Sequence, residues 1–111
     1  MPVTIQKIVY EFTKDMHKLF EDDLNMVILY GSYARGDYNE NSDIDLMILV
    51  KTPENQIPAY FDSVSDCAFE YLIKYGVDIS PIIKNENHFR YWEETLPYYR
   101  NVRNEGVIFN A

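Results

Sequence analysis

Apolar residues recur along this chain in different rhythms, and each rhythm predicts a different kind of element. Over residues 4–20 they stand at Ile5, Ile8, Val9, Phe12, Met16 and Leu19, with Lys7, Glu11, Lys14, Asp15 and Lys18 opposite. That is the helical period, so an amphipathic helix is expected, with Thr4 as its N-cap and His17 on its solvated face. Glu21, Asp22 and Asp23 read as a solvated helix end. Residues 25–30 and 43–50 are instead short, nearly continuous apolar runs, the pattern of buried strands. The second is apolar on both faces beyond its aspartates and reads as central. After a loop over 51–58, a second helix is expected over 59–75, with Phe61, Val64, Ala68 and Leu72 inward and Gly76 as its stop. Residues 77–83 form a third strand, which Pro81 places at a sheet edge or breaks. The remainder predicts a short helix from Asn87, a break at Pro97 and a second helix ending near Gly106.

This order predicts an α+β fold: a small mixed β-sheet with helices on one face, in a single domain over residues 1–111. The 47% apolar and 15% aromatic content suffices for one modest core and argues against disorder. Neither internal repeats nor low-complexity runs are visible. Ten basic against eighteen acidic residues, a net charge of -8, cannot easily supply the basic track that a long nucleic acid requires, so polymerase or RNA-tailing roles are not expected. A nucleotide remains admissible, because metal ions can neutralise a triphosphate in an acidic site. Cys67 is the one cysteine, which excludes an internal disulfide and a cysteine metal site. The chain passes from Met1-Pro2 into a charged amphipathic segment, and no run approaches the roughly 18 apolar residues of a membrane span. A soluble, cytoplasmic protein with no membrane association is the expectation.

The chemistry is concentrated between the first two strands, in the stretch VILYGSYARGDYNENSDIDLMILV. Gly31 and Ser32 close the first apolar run, ten residues follow, and Asp43 and Asp45 open the second. Residues two apart on a strand project from one face, so the two carboxylates can share hard cations. Mg²⁺ takes oxygen ligands and keeps positions for water and phosphate. A glycine at a strand end lets the backbone approach a phosphate, and a turn starting at Ser32 would aim amides and a hydroxyl at it. Arg35, one helical turn on, is placed to reach bound phosphates or a partner, or else to pair with Asp37 or Glu40. Ser42 could orient Asp43 through its hydroxyl.

GSYARGDYNENSDIDLMILV resembles the active-site signature of the DNA polymerase β-type nucleotidyltransferase superfamily, and in particular its minimal nucleotidyltransferases. The resemblance implies that Asp43 and Asp45 hold two Mg²⁺ ions and that Gly31 and Ser32 cradle the distal phosphates of ATP. It also implies a third carboxylate from a strand after the second helix. Asp78 is the acid in that position, as a metal ligand or as the base for the incoming hydroxyl. Members of this branch are usually encoded beside a HEPN-domain toxin, and the resemblance implies an antitoxin that attaches AMP to that partner, on a tyrosine. Two alternatives stay open: an antitoxin that acts by binding alone, with a vestigial or regulatory nucleotide site, and a nucleotidyltransferase for small, antibiotic-like acceptors. The cluster Phe89, Tyr91, Trp92, Tyr98 and Tyr99 with Arg90, Arg100 and Arg103 is either packing or a partner-docking face.

Overall fold

Two apolar runs separated by a polar loop form an antiparallel pair: β1 (Leu24–Tyr30) and β2 (Ile44–Val50), in register from Val27↔Ile48 to Tyr30↔Asp45. The computed structural model describes residues 3–110, so Met1, Pro2 and Ala111, the ends of the expected domain, lie outside the described residues. Before the pair comes α1 (Val3–Phe20), which starts one residue ahead of Thr4 and so takes that residue into its first turn rather than leaving it as the cap. It stops where Glu21 adopts φ 53, the left-handed conformation common just past a helix end. A single helical turn, α2 (Ser32–Arg35), follows β1. After β2, a 3-10 turn over Glu54–Tyr60 leads into α3 (Phe61–Tyr75), which ends on Gly76 at φ 69.

The third strand, β3 (Ile79–Asn85), runs parallel to β2, and its register starts two residues later than the residue pattern suggested. Its Asn85 caps the next helix, α4 (Glu86–Trp92), with the side-chain oxygen accepting from the amides of Asn87 and His88 at 2.9 and 3.2 Å. Then come α5 (Pro97–Glu105), with proline in its first turn, and β4 (Val107–Phe109). The sheet order is β3-β2-β1-β4, mixed as expected, with β2 central and β3 at an edge. The fourth strand was not anticipated. Three residues carry too short a pattern, and its identity comes from antiparallel pairing with β1 at Val27↔Phe109 through Leu29↔Val107.

Strand alternation divides the core. Leu29, Ile44, Leu46, Ile48 and Val50 pack against Val9, Phe12 and Met16 of α1 and Val64, Ala68 and Tyr71 of α3. Each large side chain so buried is worth about 1.5–3 kcal/mol. The opposite face carries Ile28, Met47 and Leu49, covered by Phe89, Tyr99 and Val102. Helices therefore cover both faces, where coverage of one was expected, because the C-terminal aromatics fold back as a second small core. Phe89 and Tyr99 are accordingly packing residues, while Tyr91 and Tyr98 stay exposed. The inward stripe of α3 is also rotated from the expected one: Tyr71 is buried, whereas Phe61 and Leu72 face outward. Among the described residues no helix is long and apolar enough to cross a membrane.

Candidate functional site

The loop closing the β1–β2 hairpin brings its two ends, Gly31 and Asp45, together. Gly31 has φ 77 and ψ -155, a combination open to glycine almost alone, and this lets the chain turn from β1 into α2. The same glycine lies against Asp45, and a Cβ built on residue 31 would collide with Asp45 Oδ2. The Gly31 carbonyl accepts from the amides of Ala34 and Arg35 at 3.1 and 3.0 Å, closing the turn. Such a turn begins with amides that have no intrahelical acceptor, an arrangement suited to an anion.

Asp45 lies two residues before Met47 on β2 and so faces the same α4/α5 side. With Tyr30, Gly31, Ser32, Arg35 and Tyr98 it lines a recess of about 320 Å³. Burial pushes its carboxyl above the usual range, and the charge of Asp43 pushes it further; Arg35 opposes both. Asp43 and Asp78 line a neighbouring polar recess of about 270 Å³, together with Ser42, Glu40 and Tyr33. Asp78 immediately precedes β3, and its carbonyl accepts from the Ile44 amide at 2.8 Å, which ties the Asp78 backbone to the head of β2.

Ser42 Oγ accepts from the Asn39 amide at 2.9 Å and so braces the loop ahead of Asp43. Arg35 donates to Asp37 at 3.1 Å and to Glu105 of α5 at 3.2 Å. The first partner is one that the local sequence suggested, and the second lies far along the chain. Tyr30, Asn101, Val102 and Glu105 also line the Asp45 recess and went unread in the sequence, where Tyr98 counts among the aromatic cluster. The Tyr30 and Tyr98 hydroxyls are 2.6 Å apart, and burial pushes both phenols upward, so they stay protonated. The spacing of 98, 101 and 105 on α5 is the signal that could have found this wall.

Among the described residues no three His, Cys, Asp or Glu side chains are gathered closely enough to enclose a metal. The donor set still suits Mg²⁺. Asp43 and Asp45 are hard oxygen donors that repel one another across the strand head, and Mg²⁺ in phosphate sites typically takes one or two carboxylates, with waters and phosphates completing its octahedron.

A family model described as a nucleotidyltransferase domain matches residues 9–107. Two curated relatives come from Methanocaldococcus jannaschii. The first, "Putative protein adenylyltransferase MJ0141", is 46% identical over 81 residues, covering 71% of this chain and 78% of its own. The second, MJ0604, has the same description and is 37% identical over 103 residues, covering 93% of this chain and 95% of its own. Among solved structures, a toxin–antitoxin with AMP-PNP superposes at a TM-score of 0.55 with 17% identity, over 89% of this chain and 70% of that one. A toxin–antitoxin MntA-HpeT chain also gives 0.55 at 17% identity, over 93% and 69%. These last two likenesses speak to the fold.

Proposed function

This chain belongs to the nucleotidyltransferase domain family and is a nucleotidyltransferase, and from that premise we propose that it moves AMP from ATP to a hydroxyl of a partner protein. The observation that carries this reading is the contact of Gly31 with Asp45 beside the turn at Ser32, with Asp43 close enough to raise the Asp45 carboxyl. A phosphate chain is the ligand for which such a strand head has both a backbone cradle and a counter-charge to host.

Asp43 and Asp45 would hold Mg²⁺, two ions by the family's pattern, and Asp78 would join them on the acceptor side. Bound there, the metal would supply charge neutralisation of the triphosphate and of the pyrophosphate that leaves. Ser32 and the amides of α2 hold the distal phosphates. Arg35 exchanges part of its pairing with Asp37 and Glu105 for phosphate oxygens, and Ser42 keeps the loop before Asp43 in place. Asp78 takes the proton of the attacking hydroxyl. That oxygen bonds to the α-phosphorus as the bond to the bridging oxygen breaks, and pyrophosphate departs.

The acceptor proposed is a tyrosine of a HEPN-type toxin in the cytoplasm, which makes this chain an antitoxin. Relatives described as protein adenylyltransferases and fold neighbours described as toxin–antitoxin support that choice. The test is to purify the chain with the product of its adjacent gene, add Mg²⁺ and ATP, and weigh the partner intact. A mass increment of one or more AMP groups that disappears in Asp43→Asn is expected. A stable complex with no increment points to neutralisation by binding alone, and modification of small acceptors with no complex points to the antibiotic-type activity.

A further inference from the structure

The outer side of α3 carries an apolar stripe that the fold leaves uncovered. Phe61 and Phe69 are 52 and 59% exposed, and Leu72 joins them. Phe61, Ser65, Phe69 and Leu72 fall on one side of the helix by its 3.6-residue period, between the buried side at Val64 and Ala68 and an acidic side at Asp62, Asp66 and Glu70. Facing the stripe is the edge strand β3. Two hollows of about 430 and 210 Å³ lie between them and share Ser65 and Pro81 as walls, so they form one groove. It begins at Phe61 and Lys84 and ends at Leu72 and Asp78.

We propose that this groove docks the acceptor protein through an amphipathic helix, whose apolar ridge lies between α3 and β3 and whose basic flank meets Asp62, Asp66 and Glu70. The proposal rests on the reading of Asp78 as the residue that activates the acceptor hydroxyl, since the groove ends there. Three features favour this occupant. An apolar stripe that runs to a catalytic carboxylate lets one docking event deliver a hydroxyl to it. The acidic flank, on a chain of net charge -8, attracts a basic surface. An added strand is disfavoured at this edge. The Ile44 amide bonds the Asp78 carbonyl, so by parallel-strand alternation residues 79, 81 and 83 turn their backbone groups outward, and the middle one is a proline without an amide. A helix needs no such donors.

The test uses the adjacent-gene product as the acceptor probe, with Phe61→Glu and Phe69→Glu as variants. Both positions are exposed, so the variants should melt with the parent. Expected are an unchanged Kd for ATP and a KM for the probe raised roughly tenfold or more. A parent that modifies the probe, with variants that keep its KM, overturns the docking proposal and leaves the transfer reading intact. A probe that binds the parent, fails to bind either variant, and never gains AMP upholds the groove and overturns the transfer reading. Absence of any complex with the probe overturns the docking proposal. So does a parent that sediments as a dimer and becomes monomeric on Phe69→Glu, because the face then belongs to a second copy of this chain.

Discussion

Gly31 and Asp45 occupy adjoining space at the head of the β1–β2 pair, and the backbone of one comes so near the carboxylate of the other that no side chain fits between them. Gly31→Ala must both hold a left-handed φ and displace Asp45. It is expected to lose on the order of 1–3 kcal/mol from the backbone alone and to bind ATP more weakly. Thermal melts and calorimetric titration with Mg-ATP check this; parental values for both would refute it.

Asp45 makes stability depend on pH in an identifiable direction. Its folded carboxyl sits above the unfolded value, so the ionised form is disfavoured in the fold. The cost starts as pH rises through the unfolded value near 3.9 and is complete above the folded one. Without metal, Asp45→Asn should be more stable than the parent at neutral pH and lose that advantage below about pH 3.9. Denaturant midpoints across pH 3–8 measure it, and with Mg-ATP present the parent should overtake the variant.

Asp78→Ala separates binding from chemistry. As the proposed base, the residue should cost about 10²–10⁴-fold in transfer rate while ATP affinity is largely kept. A variant that transfers at the parental rate would show that the acceptor hydroxyl is activated elsewhere.

Glu105 pairs with Arg35 at 3.2 Å, and under the proposed function that pairing competes with phosphate for the guanidinium. The pair is exposed on the arginine side, so solvent screening leaves it little weight in stability. Glu105→Gln should therefore melt close to the parent and bind ATP somewhat more tightly. Arg35→Ala should shift affinity the other way.

The motif stretch was legible because its information is local: a strand, a glycine turn, and carboxylates two apart each state their geometry within a few residues. Asp43, Asp45, Gly31 and Ser32 could be nominated on that basis, and Pro81 marked the sheet edge that the structure has. What stayed hidden depends on distant partners. Tyr71 shares the buried face with Val64 and Ala68, and its hydroxyl donates to Asp15 at 2.5 Å, a bond to α1 that no pattern within α3 reveals. Arg35 meets Glu105, which only the return of α5 along the sheet brings near. Phe89 and Tyr99 resemble a binding cluster in sequence because interface anchors and core aromatics are the same residues; the vacant second face of the sheet decides between them.

The loop over residues 31–43 is anchored at both ends by the β1–β2 ladder. Its chemistry sits at those ends, while Asp37, Tyr38, Asn39 and Glu40 between them are exposed. Chain entropy therefore sets a low barrier to lengthening the middle: doubling a flexible loop adds only about 0.6 kcal/mol to its closure. A longer segment inserted there would leave Gly31 and Asp45 in register across the strand pair. This protein can thus lengthen one hairpin connection without remaking the sheet that holds those two residues together.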